Sequence, residues 1–274
     1  MPMTDGRYAH ARVAILTAIP EETQAVRERC KLSMHLKYDY YMDPDADRDF
    51  PDVIHCQVGR GNLAVGDPTK NLIEQMQPEL IVFCGIAGGI NGREGIAVGD
   101  LVVPPYIHYC SFAKLSKRGR QTRFVPYDHP SIRLHKYHAA HIGWDWSERN
   151  RRNPVGGKKF RGSKVLTDSS IVAGDKVYGD PTSEEQRWVI KKFDDAVAID
   201  MESAGVCAAV AASRDNPSYN PRLLVVRCIS DMIDSRGNNT QRRENKVATS
   251  EIASAFVHEL VNEFLDDEPD VRLR

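Results

Sequence analysis

The chain has 274 residues, 41% of them hydrophobic and 27% charged, with a formal net charge of -1. That length suits one large globular domain or two small ones with a sizeable core, and the near-neutral balance argues against nucleic acid or a membrane surface as the partner of the whole protein. Six scattered cysteines (Cys30, Cys56, Cys84, Cys110, Cys207 and Cys228) form no C-x-x-C pair, which predicts a reducing, cytoplasmic setting without a disulfide framework or zinc site. The first residues lack a signal-peptide core, and no apolar run approaches the roughly 18 residues that a membrane span needs.

In chain order, residues 12–19 (RVAILTAI) read as a short buried strand. Pro20-Glu21-Glu22-Thr23 then opens a helix, because proline suits the first turn and acids favour the positive end. Residues 52–58 read as a second strand ending in Gly59-Arg60-Gly61, followed by a helix to about Met76. A strand over 79–84 runs into the glycine-rich stretch 85–89, and Val98-Gly99-Asp100 enters a further strand. This rhythm predicts an α/β domain with a largely buried sheet. Between residues 114 and 164 fourteen basic residues face three acids, which reads as a basic insertion or elaborated loop on a single domain spanning 1–274. A strand-like pattern resumes at 163–167. Residues 203–212 form a small-residue helix entered through Glu202, and 222–229 a buried strand with Asp231 just beyond it. Ile252, Phe256, Leu260 and Phe264 mark a packing helix over 250–265.

Ligands of open α/β sheets collect beyond the carboxyl ends of strands, where loops and helix N-termini expose free N–H groups. Three such ends carry chemistry here: Glu21-Glu22, the glycines of 85–89, and Ser230-Asp231. Each also has a plain structural reading. The glutamates suit a solvated first turn, the glycines close packing, and Asp231 a helix cap. Bare carboxylates beside apolar segments are expensive to bury unless a partner or ligand needs them.

Seven segments in order, VAILTAIPEE (13–22), VGRG (58–61), CGIAGG (84–89), VGD (98–100), AGD (173–175), IDME (199–202) and VVRCISD (225–231), together resemble the nucleoside phosphorylase/nucleosidase superfamily. The resemblance is nearest to its methylthioadenosine/S-adenosylhomocysteine nucleosidase-like branch and covers nearly all of residues 12–265 outside the basic segment. It implies a three-layer α/β/α, phosphorylase/hydrolase-like fold with a mixed, partly barrel-like central sheet. It also implies an enzyme that hydrolyses the N-glycosidic bond of a purine (adenine) nucleoside or nucleotide. In this resemblance Glu22 activates the attacking water and Asp231 protonates N7 of the departing purine, oriented by Ser230. Glu202 binds the ribose hydroxyls with Met201 against the sugar, and Ile86, Ala87 and Gly88 line the substrate. Val177 stacks on the base, the Tyr178 backbone meets its edge, and Arg227 sits in the water corner beside Glu22 and Gly88. No metal or organic cofactor is implied, and a homodimer or higher homo-oligomer is.

A phosphorylase would place arginines at the early strand end to hold inorganic phosphate. This chain has Thr17-Ala18-Ile19-Pro20-Glu21-Glu22 there, and a carboxylate repels phosphate, so hydrolysis is preferred; Arg60 keeps phosphorolysis as the alternative. Ile86 stands where the branch has a small hydroxyl residue. The stretch after Asp231, which in the branch supplies apolar contacts to a 5′-alkylthio group, is polar and basic over 232–243. Arg236, Arg242 and Arg243 there suit a 5′-phosphate, because guanidinium groups pair with phosphate bidentately. The expected substrate is thus a 5′-phosphorylated purine such as AMP or ATP, as for superfamily members that deplete nucleotides in antiviral defence.

His135, His138 and His141 invite a metal reading, but i and i+6 diverge on a helix and no Cys or acid completes a site. The basic segment with Tyr137, Trp144 and Trp146 has the ingredients of a nucleic-acid surface; contacts to substrate phosphates or a partner subunit rank above that. A binding module without turnover is the remaining alternative of another class.

Overall fold

The computed structural model describes residues 10–36, 39–47, 50–116, 119–122, 126–128, 139–216 and 218–267. The first half runs β1 (Val13–Thr17), α1 (Pro20–Arg29), β2 (Met34–His35), β3 (Tyr40–Met42), β4 (Val53–Gln57), α2 (Asn62–Met76), β5 (Leu80–Gly89), β6 (Leu101–Val102) and β7 (Tyr106–Tyr109). It continues with β8 (Ala113–Ser116), β9 (Gly119–Thr122), β10 (Pro126–Asp128), α3 (Ala140–Arg152), β11 (Val165–Leu166), β12 (Ser170–Ala173) and α4 (Glu184–Lys192). The last elements are β13 (Ala196–Asp200), α5 (Ser203–Ser213), β14 (Arg222–Met232) and α6 (Asn238–Asp267).

Side chains alternate across a strand, and here the alternation sorts the residues of β1 and β5 into two of the three apolar clusters among the described residues, the third joining Val172, Ile199 and Val189 of β12, β13 and α4. Ile81 and Phe83 of β5, with Ala14 and Leu16 of β1, pack on one face together with Val65 and Leu72 of α2 and Val206 and Val210 of α5. Leu80, Val82 and Cys84, with Val13 and Ile15, pack on the other face with Val26 of α1 and Ile252, Phe256 and Phe264 of α6. Strands buried on both faces need continuous apolar runs rather than alternation, which is why RVAILTAI and LIVFC were readable as strands. The result is the three-layer α/β arrangement with a mixed sheet. Among the described residues the sheet has twelve strands, ordered β10-β7-β12-β13-β5-β1-β4-β3-β2, with β14, β6 and β11 branching from β5. The sheet stays open, so the barrel-like expectation does not extend to closure.

Three boundaries differ from the sequence reading. The glycines of 85–89 are not a loop but the second half of the ten-residue strand β5. Asp231 lies within β14 rather than beyond it. The last helix begins at Asn238, not near Ser250, so half of the polar stretch after Asp231 is its first turns. Part of the basic segment is built into the fold: Trp146 of α3 is buried edge-on against Phe256, ring centroids 5.7 Å apart. Arg149 pairs with Glu259, and Lys164 Nζ donates to the Glu94 carbonyl at 2.8 Å. His135, His138 and Tyr137 lie outside the described residues, and His141 is on α3. Among the described residues no helix is long and apolar enough to cross a membrane.

Candidate active site

Strand β5 changes neighbours halfway along. On one edge β1 accompanies it only as far as Leu16 opposite Phe83, and β13 takes over, antiparallel, from Ile199 opposite Gly88. On the other edge β14 runs beside its whole length. Residues 84–87 therefore lack a strand partner on the first edge, at a switch of strand direction where an open sheet can receive a ligand.

Glu22 fills one corner of this gap. Pro20 starts α1, and the Glu22 side chain turns back over the helix end to the backbone N–H of the N-cap residue Ile19. Its Oε2 accepts the Ala18 and Ile19 N–H groups at 2.8 and 3.1 Å, and its Oε1 accepts the Ile86 N–H at 2.9 Å. The carboxyl group is buried. Burial pushes its pKa upward, against the pull of the Arg227 charge and the three amides.

Behind it, Arg227 is 0% exposed. Its Nε donates to Asp200 Oδ2 at 2.8 Å and its Nη2 to Ser203 Oγ at 3.4 Å, and its guanidinium lies 3.9 Å from the centroid of the Phe83 ring. Nη1 is buried without a hydrogen-bond partner. A Cβ on Gly85 would lie 2.0 Å from Nη1 and 2.5 Å from Glu22 Oε1, so only glycine lets the strand pass between these two side chains. Arg227 is thus beside Glu22 but at Gly85 rather than Gly88, and it lies outside the cavity lining. The pairing with Asp200 explains this inward position, because a buried guanidinium needs a carboxylate.

Glu202 sits at the entrance of α5 without capping it. Its Oε1 instead accepts the N–H of Gly61 at 3.0 Å, from a turn in which Gly59 and Gly61 hold φ of 91° and 87°. Those left-handed values favour glycine. Burial, followed by the neighbouring Asp200 carboxylate, pushes the Glu202 pKa up to about 7.

Asp231 owes its position to a β-bulge. Ile229 pairs with Ala87 and Asp231 with Gly88, so Ser230 is the extra residue, and a bulge re-aims the side chain that follows it. Ser230 Oγ donates to Asp231 Oδ1 at 2.6 Å, while Oδ2 is buried without a partner. Burial raises this carboxyl group's pKa, opposed by the Ser230 hydrogen bond and the charge of Arg242.

These groups surround a cavity of about 490 Å³. Of the residues singled out in the sequence, Glu22, Ile86, Ala87, Gly88, Val177, Tyr178, Met201, Glu202, Ser230, Asp231, Arg242 and Arg243 line it. Arg236 does not; it is exposed in the turn before α6. Arg149, Arg151, Arg152, Lys158, Lys159, Arg161 and Lys164 of the basic segment do not line the cavity; Arg149 and Lys159 engage α6, Lys164 the loop after β5, and Arg151 and Arg161 their own segment. Lining residues that the sequence reading missed as contacts include Glu21, Lys176, Asn239 and Lys246, beside Ala18, Ile19, Ile199, Asp200 and Ile233, and Arg60 also reaches the cavity. Asn239, Arg242, Arg243 and Lys246 stand at i, i+3, i+4 and i+7, one face of α6. That spacing was present in the sequence, and extending the apolar helical pattern of 252–264 backwards would have found it. The arrangement has a carboxylate held by amides in one corner, a carboxyl oxygen free to exchange a proton in another wall, an apolar slot between them and a cationic rim.

The family model of the phosphorylase superfamily matches residues 12–266. A 5′-methylthioadenosine/S-adenosylhomocysteine nucleosidase of Staphylococcus saprophyticus is 25% identical over 209 residues, covering 75% of this chain and 81% of the relative. Among solved structures, the Helicobacter pylori 5′-methylthioadenosine/S-adenosylhomocysteine nucleosidase, complexed with an amino-pyrrolopyrimidine pyrrolidinol, superposes with a TM-score of 0.68 at 17% identity. It covers 94% of this chain and 100% of that one. The futalosine hydrolase of the same organism gives a TM-score of 0.69 at 17% identity, covering 93% and 98%. At such identities the structural likeness speaks for the fold alone.

Proposed function

The chain belongs to the phosphorylase superfamily, and from that premise we propose that it hydrolyses the N-glycosidic bond of a purine nucleoside or nucleotide, releasing free base and the ribose moiety. The relatives' names and the two walls of acid across one cavity support this reading. The observation that carries hydrolysis over phosphorolysis is the engagement of the amides at the end of β1 and in the gap of β5. The N–H groups of Ala18, Ile19 and Ile86, which would otherwise suit an anion, are all donated to Glu22. A phosphate ion there would meet a carboxylate instead of donors.

In the reaction the C1′–N9 bond breaks and its electron pair goes to the purine, while the sugar takes on oxocarbenium character. Asp231 Oδ2, on a carboxyl group whose burial favours the protonated form, gives a proton to N7. A water held at Glu22 bonds to C1′ and loses a proton to the Glu22 carboxylate. Glu202 accepts from the ribose hydroxyls and places negative charge near the developing cation. Val177 and Tyr178 flank the base and Met201 the sugar. Arg227 holds the Asp200 carboxylate through Nε and acts on Glu22 through its charge, without touching substrate. Ile86 contributes its backbone N–H to Glu22, so the missing side-chain hydroxyl at this position leaves that carboxylate fully held.

The cationic rim favours a 5′-phosphorylated purine such as AMP or ATP over an alkylthio nucleoside, with Arg242 and Arg243 as phosphate contacts. The same reading expects a homodimer, for which the exposed Leu63 and Phe112, at 95% and 55%, supply apolar surface. Chromatography of ATP, AMP, adenosine and methylthioadenosine after incubation tests the whole proposal. Free adenine should appear without added phosphate and most rapidly from the nucleotides. Release strictly dependent on phosphate would reverse the choice of reaction, and release from methylthioadenosine alone would remove the nucleotide preference.

A further inference from the structure

Two adjacent glutamates have opposite fates. Glu22 is buried in the cavity corner, while its neighbour Glu21 stands at the rim and pairs with Lys246 of α6. Glu21 also lies within the field of Arg60, which comes from the glycine turn before α2. The rim therefore has cations from the glycine turn before α2, from the loop after β12 and from one face of α6, with Glu21 beside both Arg60 and Lys246. Among these cations Arg60, Arg242 and Arg243 make no ion pair with any described residue, and Lys176 is held by Glu185. A monoester phosphate is saturated by one or two guanidinium groups. The row 239–246 of α6 spans about 10 Å, and Arg60 adds a contact from outside that helix. This is more cationic surface than one phosphate occupies.

We propose that Arg60, Arg243 and Lys246 form a polyphosphate subsite for nucleoside 5′-triphosphates and that Glu21 is its resident counter-ion, exchanged for substrate phosphate at Lys246. This inference rests on the nucleotide reading of the same cavity. The exchange is physically easy because the pair is only partly desolvated, with side-chain exposures of 35% and 24%, and ion pairs of this exposure contribute little to stability. Glu21 would then act as a selector. It keeps Lys246 neutralised for ligands that end at the ribose or at one phosphate, and yields it only to a chain long enough to compete. Charge complementarity of this kind sets discrimination between ligands more than overall affinity.

The test uses the full chain and two variants, Glu21→Gln and Lys246→Met, with their folding checked by thermal unfolding. Steady-state adenine release from ATP and AMP is measured beside calorimetric binding of inorganic tripolyphosphate. The wild type should prefer ATP to AMP. Glu21→Gln should raise the kcat/KM ratio of AMP to ATP towards unity and tighten tripolyphosphate about tenfold, whereas Lys246→Met should weaken tripolyphosphate about tenfold and slow ATP more than AMP. Tripolyphosphate binding that ignores both substitutions, or equal shifts for ATP and AMP in both, would overturn the subsite. Tripolyphosphate binding requires no turnover, so it still judges the rim if no purine is released from any substrate, an outcome that would strike the hydrolytic reading alone.

Discussion

Arg227→Met isolates the role of one buried charge. The guanidinium is 0% exposed, and the Asp200 side chain that it holds at 2.8 Å is 1% exposed. Glu22 and Glu202 lie within its field as well. Methionine has comparable length, lies against the Phe83 ring and leaves little empty volume, so the loss is mainly electrostatic. Removing one partner of a buried pair strands the other, and such changes cost about 3–5 kcal/mol; here three carboxylates lose their shared cation, which places the expected cost at the upper end. For a chain of this size that corresponds to a fall in Tm on the order of 10 °C. The variant also makes a pH prediction. Without the cation the carboxylates bind protons more tightly in the folded state than in the unfolded chain, so the folded state carries more protons and stability falls as pH rises. Urea unfolding of both proteins between pH 5 and 8 is the assay, with the deficit expected to be largest at pH 8 and to shrink towards pH 5. A deficit below about 1 kcal/mol at pH 7, or one that does not change with pH, would refute the claim that Arg227 is the charge partner of the site.

Further outcomes follow from the same geometry. Asp231→Asn should reduce base release by roughly 10²–10⁴-fold while leaving thermal unfolding near that of the wild type; normal turnover would remove Asp231 as the proton donor. Gly85→Ala forces a methyl group to within 2.0 Å of Arg227 Nη1, so it should cost at least about 2 kcal/mol in chemical denaturation and abolish activity. For Glu202, whose pKa rises from 4.5 unfolded to about 7 folded, stability relative to Glu202→Gln should be greatest below pH 4.5, decline across pH 4.5–7 and then level off. The decline should be at most about 3 kcal/mol, read as Tm against pH. Sedimentation should show a dimer that Leu63→Glu dissociates; a wild type sedimenting at single-chain mass would end that expectation.

The strands of the central sheet were readable because burial on both faces demands uninterrupted apolar runs, as in residues 12–19 and 79–84. Glu22 and Asp231 were visible as acids at strand ends, but their surroundings were not. The three amides that hold Glu22 come from Ala18, Ile19 and Ile86, the last 64 residues away, and only strand register brings them together. The same is true of Arg227, whose inward position depends on Asp200 from a strand that it does not pair with. Arg236 was misplaced because side-chain chemistry alone does not say where a helix begins. Once α6 starts at Asn238, Arg242, Arg243 and Lys246 share a face towards the cavity, and Arg236 stays in the turn outside it. The glycines of 85–89 were taken for a loop because glycine weakens strands; here close approach of Arg227, Glu22, Ile229, Met232 and Ile233 excludes side chains at Gly85, Gly88 and Gly89 while β14 keeps the strand paired.

The half-paired edge of β5 also equips the molecule with an internal reporter. The Ile86 amide has no strand carbonyl beside it and depends for its hydrogen bond on one titratable side chain. Protonation of Glu22, or its engagement with a water about to attack, changes the strength of that bond directly. The chemical shift and solvent exchange of this backbone N–H therefore follow the state of the group that activates water, from inside the sheet and without any added label on the reacting atoms.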